Sequence, residues 1–320
     1  MDVPTIADVR SAADLIAGLA VRTPLVESPD LDAAAGRRVL LKLETLQRTG
    51  SFKYRGAMAF LARLGRARRE KGVVAYSSGN HAQAVAAAAA HHGVPATIVM
   101  PSDAPAIKKA GTRSRGAEIV EYDRSSDDRE AIAAEIADRT GGAIVPPYEH
   151  AWTIAGQGTC GLEIAEQCRA LGVEAPVVLV PTGGGGLTAG IALALSADLP
   201  DAAVHTVEPD GFDDYARSLA AGERRSAEQP TGSVCDALLA PTPGAIGFEI
   251  NRHLVRGGET VTDDEAITAV RYAIETLKLV VEPGGAVALA LALSGRAPGE
   301  GPLVVVLSGG NADLGVLLAD

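Results

Sequence analysis

Aromatic side chains are scarce in this chain, with one Trp, six Tyr and four Phe among 320 residues. That scarcity, beside abundant Ala, Gly, Val and Leu, suits helices packed on parallel strands better than a β-sandwich or a disordered tail. Cysteine is also short. Cys160, Cys168 and Cys235 are odd in number and widely spaced, which excludes a disulfide framework and a paired zinc motif and leaves reduced packing residues. The six histidines show no ligand spacing, and the adjacent His91 and His92 cannot point the same way from a helix. Positive charge is outweighed: the formal net charge of −11 argues against a nucleic-acid surface. The local cluster Arg63, Arg66, Arg68 and Arg69 reads as a solvated helix face. No apolar run approaches about 20 residues, and no basic segment followed by a hydrophobic stretch opens the chain. The expectation is a soluble, cytoplasmic protein without membrane or nucleic-acid partners.

What is present is an alternation. Residues 5–20 carry Ile6, Val9, Ala13 and Ile16 at helical steps, followed by a bend at Thr23 and Pro24 and a strand over 38–43. A helix is predicted over 51–64, with Ser51 as N-cap and Lys53 in the first turn. Between residues 72 and 147, strands at 73–75, 96–99, 118–122 and 143–145 alternate with helices at 81–91, from 106, and at 127–139. A second set follows: helix 158–171, strand 177–180, helix 187–195, strand 204–207, helices 263–277 and 285–293, and strand 303–307. Alternation of this kind requires crossovers and gives parallel sheets covered on both faces. The predicted fold is α/β with two lobes, a small one over 49–146 and a large one from 1–48 and 147–320.

Residues 181–190 read PTGGGGLTAG, a four-glycine turn between a buried strand and a helix. Glycines there let backbone N–H groups converge on an anion while the helix N-terminus adds partial positive charge, so a phosphate is the natural occupant. The alternative is a tight turn and nothing more. No Lys followed by Ser or Thr closes the loop, so it is not a Walker sequence, and the loop alone does not separate a nucleotide from other phosphates. Lys53, one of only six lysines, stands in SFKYRG at 51–56. A lysine in a first helical turn opposes the dipole, and burial beside Phe52 lowers its proton affinity further, which suits Schiff-base chemistry.

Four segments in order, SFKYRG, Ser77-Ser78-Gly79-Asn80-His81, Gly183 to Gly186, and Ser308-Gly309-Gly310-Asn311, resemble the threonine/serine dehydratase and serine racemase family of fold type II pyridoxal-phosphate (PLP) enzymes. The resemblance covers nearly the whole chain. It implies that Lys53 holds PLP covalently and removes the substrate Cα proton, and that Gly183, Gly184, Gly185 and Gly186 bind the cofactor phosphate. Asn80 would contact the ring hydroxyl and Phe52 the ring. Ser308 would face the pyridine nitrogen, and a neutral hydroxyl cannot keep that nitrogen protonated as an aspartate would. Such a ring favours prompt loss of a leaving group over long-lived carbanions.

The segment Ser77, Ser78, Gly79, Asn80 and His81 follows a strand and opens a helix, so its N–H groups and side chains could grip an amino-acid carboxylate; helix capping is the alternative. The implied reaction is dehydration of L-serine or L-threonine to a keto acid and ammonia. Ser78 stands where serine racemases carry an acid/base on the face opposite Lys53, which leaves racemisation open. Pro146-Pro147-Tyr148 resembles catabolic threonine dehydratases, but Glu149-His150-Ala151-Trp152 departs from their pattern, and β-hydroxyaspartate remains a candidate substrate. Glu208, Phe212 and Asp214 resemble the family's cation site, an oxygen set suited to Mg²⁺ or Ca²⁺. An acidic surface loop is the alternative there. Glu282 would lie near the ring or cap the next helix. A homodimer without a regulatory domain is implied. The opposing class is a phosphate-ligand binding protein without catalysis, which would be colourless and indifferent to PLP.

Overall fold

In the computed structural model, residues 2–77, 79–104, 106–227, 231–313 and 315 are described, Ile107 by its backbone alone. The strands are β1 (Leu25–Glu27), β2 (Val39–Leu43), β3 (Val73–Tyr76), β4 (Ala96–Pro101), β5 (Glu118–Tyr122), β6 (Ala143–Ile144), β7 (Val177–Pro181), β8 (Ala203–Pro209), β9 (Val255–Val261) and β10 (Leu303–Leu307). The first seven helices are α1 (Ile6–Leu15), α2 (Pro29–Ala35), α3 (Lys53–Arg63), α4 (Arg66–Arg69), α5 (Asn80–His92), α6 (Ala106–Arg113) and α7 (Arg129–Thr140). After them come α8 (Ala151–Ala170), α9 (Gly186–Asp198), α10 (Asp214–Ala221), α11 (Ala245–Leu254), α12 (Asp263–Tyr272) and α13 (Pro283–Leu293). Among the described residues no helix is long and apolar enough to cross a membrane.

Two sheets result, ordered β1-β2-β10-β7-β8-β9 and β5-β4-β3-β6. Every pairing is parallel except β1 on β2. Strands β2, β7 and β10 are buried at every position, as strands covered by helices on both faces must be, and their apolar runs, broken only by Lys42 in β2, are what made them readable. Helix α13 is equally apolar and buried from Pro283 to Ala292. The α/β expectation with two sheets flanked by helices therefore holds.

Several local expectations need correction. Helix α8 starts at Ala151, seven residues before the predicted 158. Its glycines read as breaks in sequence, but they serve close packing. A Cβ on Gly156 would stand 2.7 Å from the Arg55 carbonyl oxygen, one on Gly158 2.9 Å from that of Gly190, and one on Gly161 2.8 Å from the Ile191 Cα. Helix α8 thus lies between α3 and α9 at backbone contact. The helix predicted to run through 277 changes to a π-turn over Ala273–Leu277 and stops at Lys278, whose φ is 59°. Strand β9 was missed because Gly257 and Gly258 dilute its pattern; a Cβ on Gly258 would stand 2.6 Å from the Ala216 Cα of α10 packed on it.

One buried polar cluster joins β2, α3 and α8. Lys42 on β2 pairs with Glu163 on α8 at 2.6 Å, while Arg55 on α3 pairs with Glu44 at 2.8 Å and Glu163 at 2.7 Å. Two cations face two carboxylates, so the cluster is neutral overall. Burial opposes ionisation of Glu44, but the adjoining Arg55 guanidinium outweighs it and holds the carboxyl below its usual range.

Candidate active site

Strands β7 and β10 are parallel neighbours, so the glycine turn after β7 and Ser308 after β10 leave the large sheet on the same edge. Open parallel sheets present ligand sites at such strand ends. Residues from both sheets meet there in a cleft lined by Phe52, Lys53, Asn80, His81, Gly183 to Gly186 and Ser308. Four stretches distant in sequence are thereby brought together.

Lys53 is the first residue of α3, with Phe52 in the cap position. Ser51 does not cap the helix as expected. It pairs as an isolated antiparallel bridge with Gly309, and its hydroxyl is buried without a partner. The Phe52 N–H donates to the Ser308 carbonyl at 3.1 Å, tying the start of α3 to the end of β10. The Lys53 Nζ donates to the Pro147 carbonyl at 2.9 Å and lies 5.1 Å from the centre of the Phe52 ring. Withdrawal from water pushes this amine down to about 8. Only the neutral amine attacks an aldehyde, so capture of PLP by the apoprotein should quicken about tenfold between pH 7 and pH 9 and then level off. Stopped-flow absorbance would read this; a rate still climbing steeply above pH 9.5 would show an ordinary exposed lysine.

The glycine turn is built to leave its N–H groups open. The Gly184 carbonyl accepts the Gly244 N–H at 3.1 Å, and the Gly185 carbonyl accepts the Ala189 N–H at 2.9 Å and the Asn251 amide at 3.2 Å. Among the described residues no acceptor takes the N–H of Gly183, Gly184, Gly185 or Gly186. Side chains are excluded: a Cβ on Gly184 would enter the Tyr148 ring, and one on Gly185, at φ 84°, the Tyr215 hydroxyl. Open donors at the N-terminus of α9, a water-deprived amine and the Ser308 position facing the same cleft fit an aldehyde with an anionic tail such as PLP.

Asn80 opens α5, and its amide N–H₂ donates to Glu282 while its oxygen accepts from Asn311 at 2.7 Å. Glu282 makes no side-chain cap for α13; one carboxyl oxygen is used by Asn80, the other is buried without a partner, and burial pushes its proton affinity up. The Ser77 hydroxyl accepts the Gly79 N–H at 3.2 Å. The His81 ring contacts the Val145 carbonyl at 2.8 Å, and burial followed by the charge of Lys53 lowers it to about 3, so it is neutral and supplies no charge to a carboxylate. Ser78 lies outside the described residues.

The expected cation site is not supported. Both oxygens of Glu208 are occupied by the Tyr215 and Ala216 N–H groups, at 2.9 and 2.8 Å, as a cap for α10. Among the described residues no group of three or more His, Cys, Asp or Glu could hold a metal ion. Asp214 keeps one buried oxygen without a partner, and burial raises it to about 7, while Phe212 is buried beside them.

Sequence reasoning missed Tyr76, Lys108, Arg129 and Asp236, which line the cleft together with Tyr148 of the Pro146-Pro147-Tyr148 segment. The Arg129 guanidinium stands 5.6 Å from the Tyr76 ring centre. Tyr76 ends the apolar strand β3, Lys108 and Arg129 stand on helices and Asp236 on a short 3-10 turn, and no motif within a few residues marks any of them.

Comparison with known proteins agrees with this geometry. The profile described as "Pyridoxal-phosphate dependent enzyme" matches residues 16–309. The chain is 42% identical over 308 residues to an L-threo-3-hydroxyaspartate ammonia-lyase of Pseudomonas sp., covering 96% of this chain and 95% of that protein. It is 38% identical to a serine racemase of Schizosaccharomyces pombe, covering 97% and 95%. A solved threonine deaminase of T.th. superposes with a TM-score of 0.92 at 43% identity, over 97% of this chain and 99% of that one. The chain therefore belongs to the pyridoxal-phosphate dependent enzymes, in the branch that holds amino-acid ammonia-lyases and racemases.

Proposed function

We propose that this chain removes water from a small β-hydroxy amino acid, L-serine or L-threonine, and releases pyruvate or 2-oxobutanoate with ammonia. The observation that carries the reading is the convergence of the water-deprived Lys53 amine and the open N–H groups of Gly183 to Gly186 on one cleft. PLP, when bound, supplies the electron sink that acidifies the substrate Cα–H. Lys53 would hold the cofactor and, as a neutral amine, would take the Cα proton. The glycine N–H groups would hold the anionic tail, Asn80, held by Glu282 and Asn311, would contact the ring, and Ser308 would offer the ring nitrogen a neutral partner. The segment from Ser77 to His81 holds the substrate carboxylate through its N–H groups. Incubating the purified protein with PLP and L-serine, L-threonine or each 3-hydroxyaspartate diastereomer, then measuring keto acid and D-serine, tests the reading. Absence of keto acid from all of them rejects elimination, and D-serine without pyruvate would make the chain a racemase.

Arg129 favours a second reading, in which the substrate carries a further carboxylate, as 3-hydroxyaspartate does. A guanidinium at the cleft wall is suited to a second carboxylate and has no task toward serine. Arg129→Met should lower kcat/KM for L-threo-3-hydroxyaspartate by about 30-fold or more while changing that for L-serine by less than about threefold. Equal losses for both substrates would assign Arg129 a structural role.

A further inference from the structure

Lys108 sits on α6, on the small-lobe side of the cleft. Its side chain is only 10% exposed, and Nζ lies 2.7 Å from the carboxylate of Asp236 on the large-lobe side. The same Nζ is 3.3 Å from the point where a Cβ on Gly79 would stand. Gly79 is the middle residue of the segment from Ser77 to His81, so absence of a side chain there opens the ammonium to that segment. An ammonium has three donors, and among the described residues only Asp236 accepts from this one. The aspartate side chain is 48% exposed and is easily hydrated if released, whereas the lysine is largely enclosed and needs an anion. An ordinary surface pair would not enclose its cation against a carboxylate-binding turn.

We propose that Lys108 is a specificity-determining residue that recognises the substrate α-carboxylate, with Asp236 as the competing anion that occupies it between turnovers. The inference rests on the reading of the cleft as an amino-acid site. The neutral N–H groups of the turn orient the carboxylate, and Lys108 supplies the full positive charge that neutral His81 does not. Arg129, over Tyr76, remains for a distal group.

Competition makes the two partners' variants differ in sign, which a purely structural clasp would not. The probe is L-glycerate, which keeps the carboxylate and β-hydroxyl of serine but lacks the amine and cannot condense with PLP. Its Kd for the PLP-loaded protein would be measured by titration calorimetry. Lys108→Met should raise that Kd about tenfold or more, Lys108→Arg should recover most of the loss, and Asp236→Asn, which removes the competing anion, should lower Kd. The visible PLP band and melting temperature report whether each variant is folded and loaded. Wild-type affinity in folded Lys108→Met, or a Kd not lowered in Asp236→Asn, overturns the proposal. Those results leave the earlier reading intact, which fails instead if wild-type protein takes up neither PLP nor glycerate.

Discussion

Lys53→Ala should lose the visible absorption of bound PLP and at least ~10³-fold in kcat for elimination. On the proposed function two roles would disappear together, the covalent hold on the cofactor and the base that accepts the Cα proton. The fold should survive, because the only hydrogen bond of the Lys53 side chain among the described residues is to the Pro147 carbonyl. Retention of the band, or activity within tenfold of the parent, would show that another amine carries the chemistry. Addition of free PLP distinguishes weak binding from absent chemistry: saturation with cofactor should restore occupancy of the glycine turn without restoring turnover.

Arg55→Met should cost about 3–5 kcal/mol in unfolding free energy, among the largest losses available to one substitution away from the cleft. Glu44 is fully buried and Glu163 largely so, and both carboxylates would keep their burial while losing the guanidinium at 2.8 and 2.7 Å. Urea denaturation would read the loss, and Glu44→Gln added to Arg55→Met should recover part of it by removing an unpaired charge. The exposed pair Arg66–Glu70 is the control, since breaking it should change nothing measurable. Equal stability of Arg55→Met and the parent would mean that water reaches the cluster.

The legible part of the fold was the part whose pattern is local. Apolar runs, broken only by Lys42 in β2, announced β2, β7 and β10, and the glycine turn, Lys53 and Ser308 could be read because each forms a motif within a few residues. Elements that depend on a neighbour were lost. Strand β1 has only three residues and is defined by its pairing with β2; β9 carries two glycines that make room for α10; the first turns of α8 hide behind Gly156 and Gly158. Helix α10 was missed because the stretch around Glu208 read as a loop with a cation, while in the folded chain that carboxylate caps α10. The cleft followed the same rule. Lys108, Arg129 and Asp236 lie far apart in sequence, and only the crossovers of the two sheets set them around one space.

The bridge between Ser51 and Gly309 fixes where the amine belongs mechanically. Although Lys53 begins a helix that packs on α5 beside the four-stranded sheet, the backbone just before it is moored to the rim of the six-stranded sheet. The amine and the glycine turn therefore share one rigid frame, the strand ends of the six-stranded sheet, so their spacing is set by that sheet and not by the helix that Lys53 begins.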